Sequence, residues 1–296
     1  METASCTLIT RRLPGLNCPD LMPQDLALDD QYLLLDLIQD ESLSVLLHSD
    51  RLLTGWAVEP LFSGTAYRQM RAVGPHLVAL PQDSASLANI LPRLVNEPLG
   101  IVFQPREGMA WESLVEHCRQ HLWAEAPDGR RALCRWYDPR GLRALLMGLS
   151  PTQREALTAP FASLTWHSGH GWYQWSRPGT PLSGHEPPVT WALDHDVLER
   201  VAQERQWDQV LVLVERYAGH LPVPLDKAVA KVFDLLSAAR RFGYVTASQQ
   251  ERWLRQYLRL GEFWLVSETE AWLTTDVPLE QRLCRLEAQP LPGVKP

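Results

Sequence analysis

The chain has 296 residues, 45% hydrophobic and 21% charged, a globular balance long enough for one large domain or two smaller ones. Lysine and arginine total 28 against 35 aspartate and glutamate, a formal charge of -7, with no basic run longer than pairs such as Arg11-Arg12 and Arg240-Arg241. That balance argues against a general binder of phosphate backbones, which needs a clustered basic surface. Five scattered cysteines without a CxxC pair argue against a zinc ribbon or a disulfide framework and for free thiols in a reducing compartment. No apolar run approaches the roughly 20 residues of a membrane span, and no apolar stretch follows Arg11-Arg12 as in a secretory signal. A cytoplasmic location is therefore expected, with neither nucleic acid nor membrane as partner.

Residues 1–28 show no sustained period and are expected as a loose leading segment. Residues 32–38 (YLLLDLI) read as a strand, 41–48 as a brief helix, 56–62 as an extended piece broken by Pro60, and 65–73 as a helical turn stopped by Gly74-Pro75. A strand over 76–80, a helix over 86–95, a strand over 99–103 and an amphipathic helix over 111–122 follow. Residues 132–137 read as a buried strand running into a helix over 141–149, with Asp138-Pro139-Arg140 at the joint. Asp138 is placed to cap the helix, and Pro139 suits its first position, where a missing N–H costs nothing. Residues 161–166 and 172–175 read as a hairpin turning at Ser168-Gly169-His170-Gly171.

Strands alternating with helices predict an α/β lobe over 29–177, a mixed sheet with flanking helices. Residues 177–189 (RPGTPLSGHEPPV) hold four prolines and two glycines, so 178–189 is the predicted linker. Beyond it, helical periodicity over 196–203, 207–217, 225–242 and 248–260 predicts an all-α lobe over 190–275. Residues 276–296, polar and proline-rich, are expected as a tail.

His117 and His121 lie four apart on a predicted helix, a spacing zinc ligands use, but no HExxH is formed and no third ligand has a recognisable spacing. No GxSxG elbow, phosphate loop or GxGxxG fingerprint is present, so catalytic, cofactor and metal residues are all expected to be absent. Cys118 and Cys134 sit on apolar faces, and Asp194-His195-Asp196 stands where it can cap a helix. Among the twelve tryptophans, Trp172 and Trp175 flank Tyr173 on one strand, and alternation sends the two indoles to opposite faces. Tryptophan and tyrosine bury large areas in cores, and together with arginine they are enriched at binding hot spots. On residue type, Trp172, Tyr173 and Trp175 of the first lobe and Arg240, Arg241, Trp253 and Tyr257 of the second are the candidates for a protein-binding surface.

The ordered segments Tyr32 to Asp36, Pro60 to Thr65, Val73 to Val78, His117-Cys118-Arg119, Asp128-Gly129-Arg130 and Arg135 to Arg140 resemble the type VI secretion effector-adaptor family (Tap/Tec-like), domain of unknown function 4123, over roughly residues 30–167. Cys118 and Trp136 depart from the leucine and phenylalanine more common there, both apolar changes. The resemblance implies a cytosolic bacterial chaperone that holds a toxic effector, through the effector's N-terminal region, and delivers it to the VgrG spike. It implies an α/β lobe and a more variable helical lobe, no catalysis and no cofactor. Asp36, Gly74, Pro75, His117, Arg119, Arg135, Asp138, Pro139 and Arg140 carry over as fold markers, and Arg140 is a possible partner for the strand-end carboxylate Asp36. The rival reading is an α/β hydrolase with His117 as base, which requires a concavity converging on titratable side chains.

Overall fold

The computed structural model describes residues 16–17, 32–48, 57–79, 92–94, 97–169, 171–178 and 191–288. The chain forms two compact units, residues 1–204 and 205–296. The predicted helix 86–95 and linker 178–189 lie almost wholly outside the described residues.

The first unit is built on a seven-stranded sheet of β1 (Leu16–Asn17), β2 (Tyr32–Asp36), β3 (Ala57–Pro60), β4 (Pro75–Ala79), β5 (Gly100–Pro105), β8 (Phe161–His167) and β9 (Trp172–Ser176). The order is β1-β9-β8-β5-β2-β4-β3, and β6 (Trp123–Glu125) and β7 (Arg131–Leu133) form a separate ribbon. Its helices are α1 (Glu41–His48), α2 (Trp111–Gln120), α3 (Pro139–Gly148) and α4 (Pro151–Thr158). Among the described residues the named strands all pair antiparallel, where a mixed sheet is expected. Alternation of strands and helices along a chain leaves strand direction open, and here each strand of the sheet lies beside neighbours that run opposite to it. Leu16-Asn17, inside the segment expected to be loose, adds a short edge strand against Trp175 and Gln174.

β2 lies between β4 and β5 and is buried on both faces, which is why it reads as an unbroken apolar run. Leu33 and Leu35 point to one face, where Val78, Val102 and Leu43 and Leu47 of α1 complete the cluster. Tyr32 points to the other and stacks between Phe103 (5.6 Å) and Trp111 of α2 (6.0 Å). Asp36, two residues beyond Leu34 at the strand end, shares that second face.

The predicted strand 132–137 is shorter than its apolar run suggests. β7 ends at Leu133, and the Asp138 amide donates to the Arg135 carbonyl (3.0 Å), closing a turn. Trp136 and Tyr137 are buried within that turn, so their apolar character reports tertiary packing rather than a strand. α3 then begins as predicted: the Asp138 carboxylate accepts from the Arg140 amide (3.1 Å), with Pro139 in the first turn. α4 starts with a capping box between Ser150 and Gln153.

The predicted helices 196–203 and 207–217 are one helix, α5 (His195–Tyr217), and the division between the units falls within it. The residues after the predicted linker belong to the first unit. Glu125 donates its amide to the Trp191 carbonyl (2.9 Å), and Arg200 Nε donates to the Gly148 carbonyl (2.8 Å). Gly148 allows that approach, since a Cβ there would lie 2.8 Å from the Val201 nitrogen.

The second unit continues with α6 (Leu225–Arg241), α7 (Ala247–Leu260), α8 (Ser267–Leu273) and α9 (Leu279–Glu287). Thr246 and Gln249 form a capping box at the start of α7, and Gly261, at φ 73°, ends it. α9 stands where a tail is expected: Leu283 and Leu286 are fully buried, and Arg252 of α7 reaches Glu280 (2.6 Å) and Glu287 (2.7 Å). The leucine spacing 279-283-286 is helical and outweighs the flanking prolines. Among the described residues no helix is long and apolar enough to cross a membrane.

Candidate functional site

The Asp138-Pro139-Arg140 joint brings four charged groups together at the end of β2. Arg135 Nη2 donates to Asp36 Oδ2 at 2.5 Å and lies 3.7 Å from Asp138 Oδ2. Arg140 grips Asp138 with two parallel bonds, Nε to Oδ1 and Nη2 to Oδ2, both 2.8 Å. Asp36 is thus hydrogen-bonded by Arg135, with Arg140 acting on it through its charge, because the turn at 135–138 carries Arg135 back over the strand end. Burial alone would raise the Asp138 carboxyl, but the bonds from Arg140 outweigh it and hold the group below the usual carboxylate range. Burial, helped by the Asp36 charge, pushes the Tyr137 phenol up. These groups satisfy one another, so the joint locks β2 to α3.

The other fold markers also act in packing. Arg119 of α2 pairs with Glu59 and reaches the Pro60 carbonyl on β3. Gly74 is required by Phe62, whose ring a Cβ would meet at 2.3 Å. Pro75 opens β4 opposite Asp36.

The His117 and His121 rings lie tilted against each other, with centroids 4.2 Å apart. His117 Nε2 donates to the Leu157 carbonyl (2.9 Å), and His121 Nδ1 to the His117 carbonyl (3.0 Å). Among the described residues no group of three metal-ligating side chains stands together. Cys118 is fully buried, and burial pushes its thiol up. His117 does border a concavity of about 410 Å³ with Ser113 and Glu116, but its Nε2 is turned to the Leu157 carbonyl.

Burial first, and the neighbouring His121 second, lower His117 from 6.5 to about 4, against the Leu157 carbonyl. The folded chain then keeps this ring neutral while the unfolded chain protonates it. The stability it contributes is complete above pH 6.5 and falls as the pH drops from 6.5 towards about 4. Urea midpoints of the native chain should fall across that window, and His117→Gln, which keeps a donor for Leu157, should flatten the fall. An unchanged slope in the variant would assign the titration elsewhere.

The aromatic candidates are covered more than residue type suggests. Trp175 is 2% exposed, with the Arg177 guanidinium 5.9 Å from its ring. Trp172, on the opposite face, is half-buried against the Leu33–Val102 cluster, and Tyr173 stacks on Trp166 at 5.6 Å. In the second unit Trp253 is 0% and Tyr257 7% exposed, so both are core residues rather than a recognition surface. Arg240 is half-buried and Arg241 exposed at the end of α6.

One aromatic column was not singled out by sequence reasoning. Tyr67 stacks on Trp123 at 5.1 Å, the Arg131 guanidinium lies over Trp123 at 5.1 Å, and the buried Phe62 stands 5.5 Å from Tyr67. The Asp128-Gly129-Arg130 turn, with Gly129 at φ 75°, folds Arg131 back beside Trp123, and that turn was the available signal.

Residues 31–156 match the family model Domain of unknown function (DUF4123). That span runs from β2 to within α4 and holds the Asp36–Arg135–Asp138–Arg140 joint, the histidine pair and the Phe62–Tyr67–Trp123–Arg131 column. Searches of the curated proteins and of the solved structures find no match to the chain.

Proposed function

We propose that this protein is a non-enzymatic adaptor, a chaperone that binds a type VI secretion toxic effector in the cytoplasm and loads it onto the VgrG spike. The observation that carries the reading is the DUF4123 match over residues 31–156, a family associated with such adaptors. The internal pairing of the motif's charges supports a scaffold role for the joint. On this reading the chain uses no cofactor, and its partners are the effector's N-terminal region and VgrG, with neither nucleic acid nor membrane involved.

Co-expression with the product of each neighbouring gene, as a candidate effector, tests the proposal. The effector should be insoluble or scarce alone, accumulate in soluble form with this chain, and co-elute with it on gel filtration. Absence of both rescue and complex, with every neighbouring gene product tried, would overturn the reading.

A further inference from the structure

The Phe62–Tyr67–Trp123–Arg131 column runs from the core to solvent. Phe62 is 4% exposed, Tyr67 is 37% exposed and Met70, on the same turn, is 40% exposed. Arg131 is exposed beside the half-buried Trp123. An indole braced by a stacked phenol and a guanidinium presents its surface at little conformational cost.

The charge around the column runs against that of the whole chain. Arg68 and Arg71 sit on the Tyr67 turn and Arg130 beside Arg131, all exposed. Within residues 62–71 and 123–133, which supply the column, the carboxylates are Glu125, opposite Arg131 across the ribbon, and Asp128, which stands 3.5 Å from Arg130. In these two segments arginines outnumber carboxylates, on a chain of formal charge -7. Arginine beside tyrosine and tryptophan is the composition of binding hot spots, and its fork pairs with carboxylates in two-point contacts.

We propose that this column docks an acidic segment of a partner polypeptide. An aromatic or large apolar side chain of that segment seats on Tyr67 beside Met70, and its carboxylates pair with Arg131 and Arg68. The proposal deepens the adaptor reading and rests on it for the partner's identity. A polypeptide fits better than a nucleic acid, because Arg68, Arg71, Arg130 and Arg131 form a local cluster rather than the extended basic surface that tracking a phosphate backbone needs.

The test pans random phage-displayed peptides on the immobilised full chain and measures the selected peptides by fluorescence anisotropy. Selected peptides should carry net negative charge and an aromatic or large apolar residue, and should bind more weakly as salt rises. Arg131→Glu and Tyr67→Ala, at exposed positions that leave the fold intact by circular dichroism, should each weaken binding about tenfold or more. Arg255→Glu, an exposed charge reversal in the second unit, should not. Neutral or basic selected peptides, or affinities indifferent to the column variants, would overturn the proposal. So would column-dependent dimerisation, or column-dependent binding of oligo-dT or anionic vesicles in preference to the peptides. If the variants keep the effector complex, this surface is wrong and the adaptor reading stands. If the native chain forms no effector complex but acidic peptides still bind at the column, the adaptor reading fails and the surface stands.

Discussion

Trp253→Ala should cost about 3–5 kcal/mol and strip protection from the second unit. Trp253 is fully buried and touches four other aromatic rings: Phe242 (5.6 Å), Tyr244 (5.2 Å), Phe263 (4.7 Å) and Trp264 (5.4 Å). It joins α6, α7 and the 3-10 turn Phe263–Leu265 in one cluster. A domain has only about 5–15 kcal/mol of stability, so the loss is a large fraction of the total. Hydrogen exchange read by mass spectrometry on the full chain should show faster exchange in α6 and α7 and little change in β2 and β5. Trp253→Phe should lose much less, because the indole Nε1 is buried without a hydrogen-bond partner and phenylalanine has no such group to satisfy. Unchanged protection in Trp253→Ala would show that the aromatic cluster does not hold these helices together.

The Arg135–Asp36 pair should give the second largest effect. The Asp36 side chain is 2% exposed while that of Arg135 is 40% exposed. Removing one partner of a fully buried pair costs about 3–5 kcal/mol. Solvent already screens the guanidinium, so Arg135→Met should cost about 2 kcal/mol. Asp36→Asn with Arg135→Met together should cost clearly less than the sum of the single changes, because Asp36→Asn removes the buried charge that Arg135→Met alone deprives of that guanidinium. Urea denaturation of the four chains measures this, and strict additivity would mean that the contact is energetically idle.

These two sites differ in how far they could be read in advance. Asp138 and Pro139 announce the start of α3 because capping is a contact between near neighbours. Whether Asp36 meets Arg135 or Arg140 depends on the turn at 135–138, which a six-residue apolar run disguises as a strand. Trp253 sits on a legible amphipathic helix, but residue type alone left it open between core residue and hot-spot candidate. Only the rings of Phe242, Tyr244, Phe263 and Trp264, drawn from separate segments, decide for the core. The match over residues 31–156 lies within the stretch where ordered motifs were visible in the chain itself.

By itself the sequence determined the local elements: the apolar run of β2, the capped start of α3, the hairpin of β8 and β9, and the amphipathic helices α2, α6 and α7. Tertiary structure alone decided the antiparallel strand order, the merging of two predicted helices into α5, the burial of α9, and the pairing of Tyr67 with Trp123. The physical reason is range. Caps, turns and periodicity act over a few residues, so their residue types are written next to one another. Strand order and the packing of aromatic rings join residues distant in the chain, and no short stretch of sequence contains both partners.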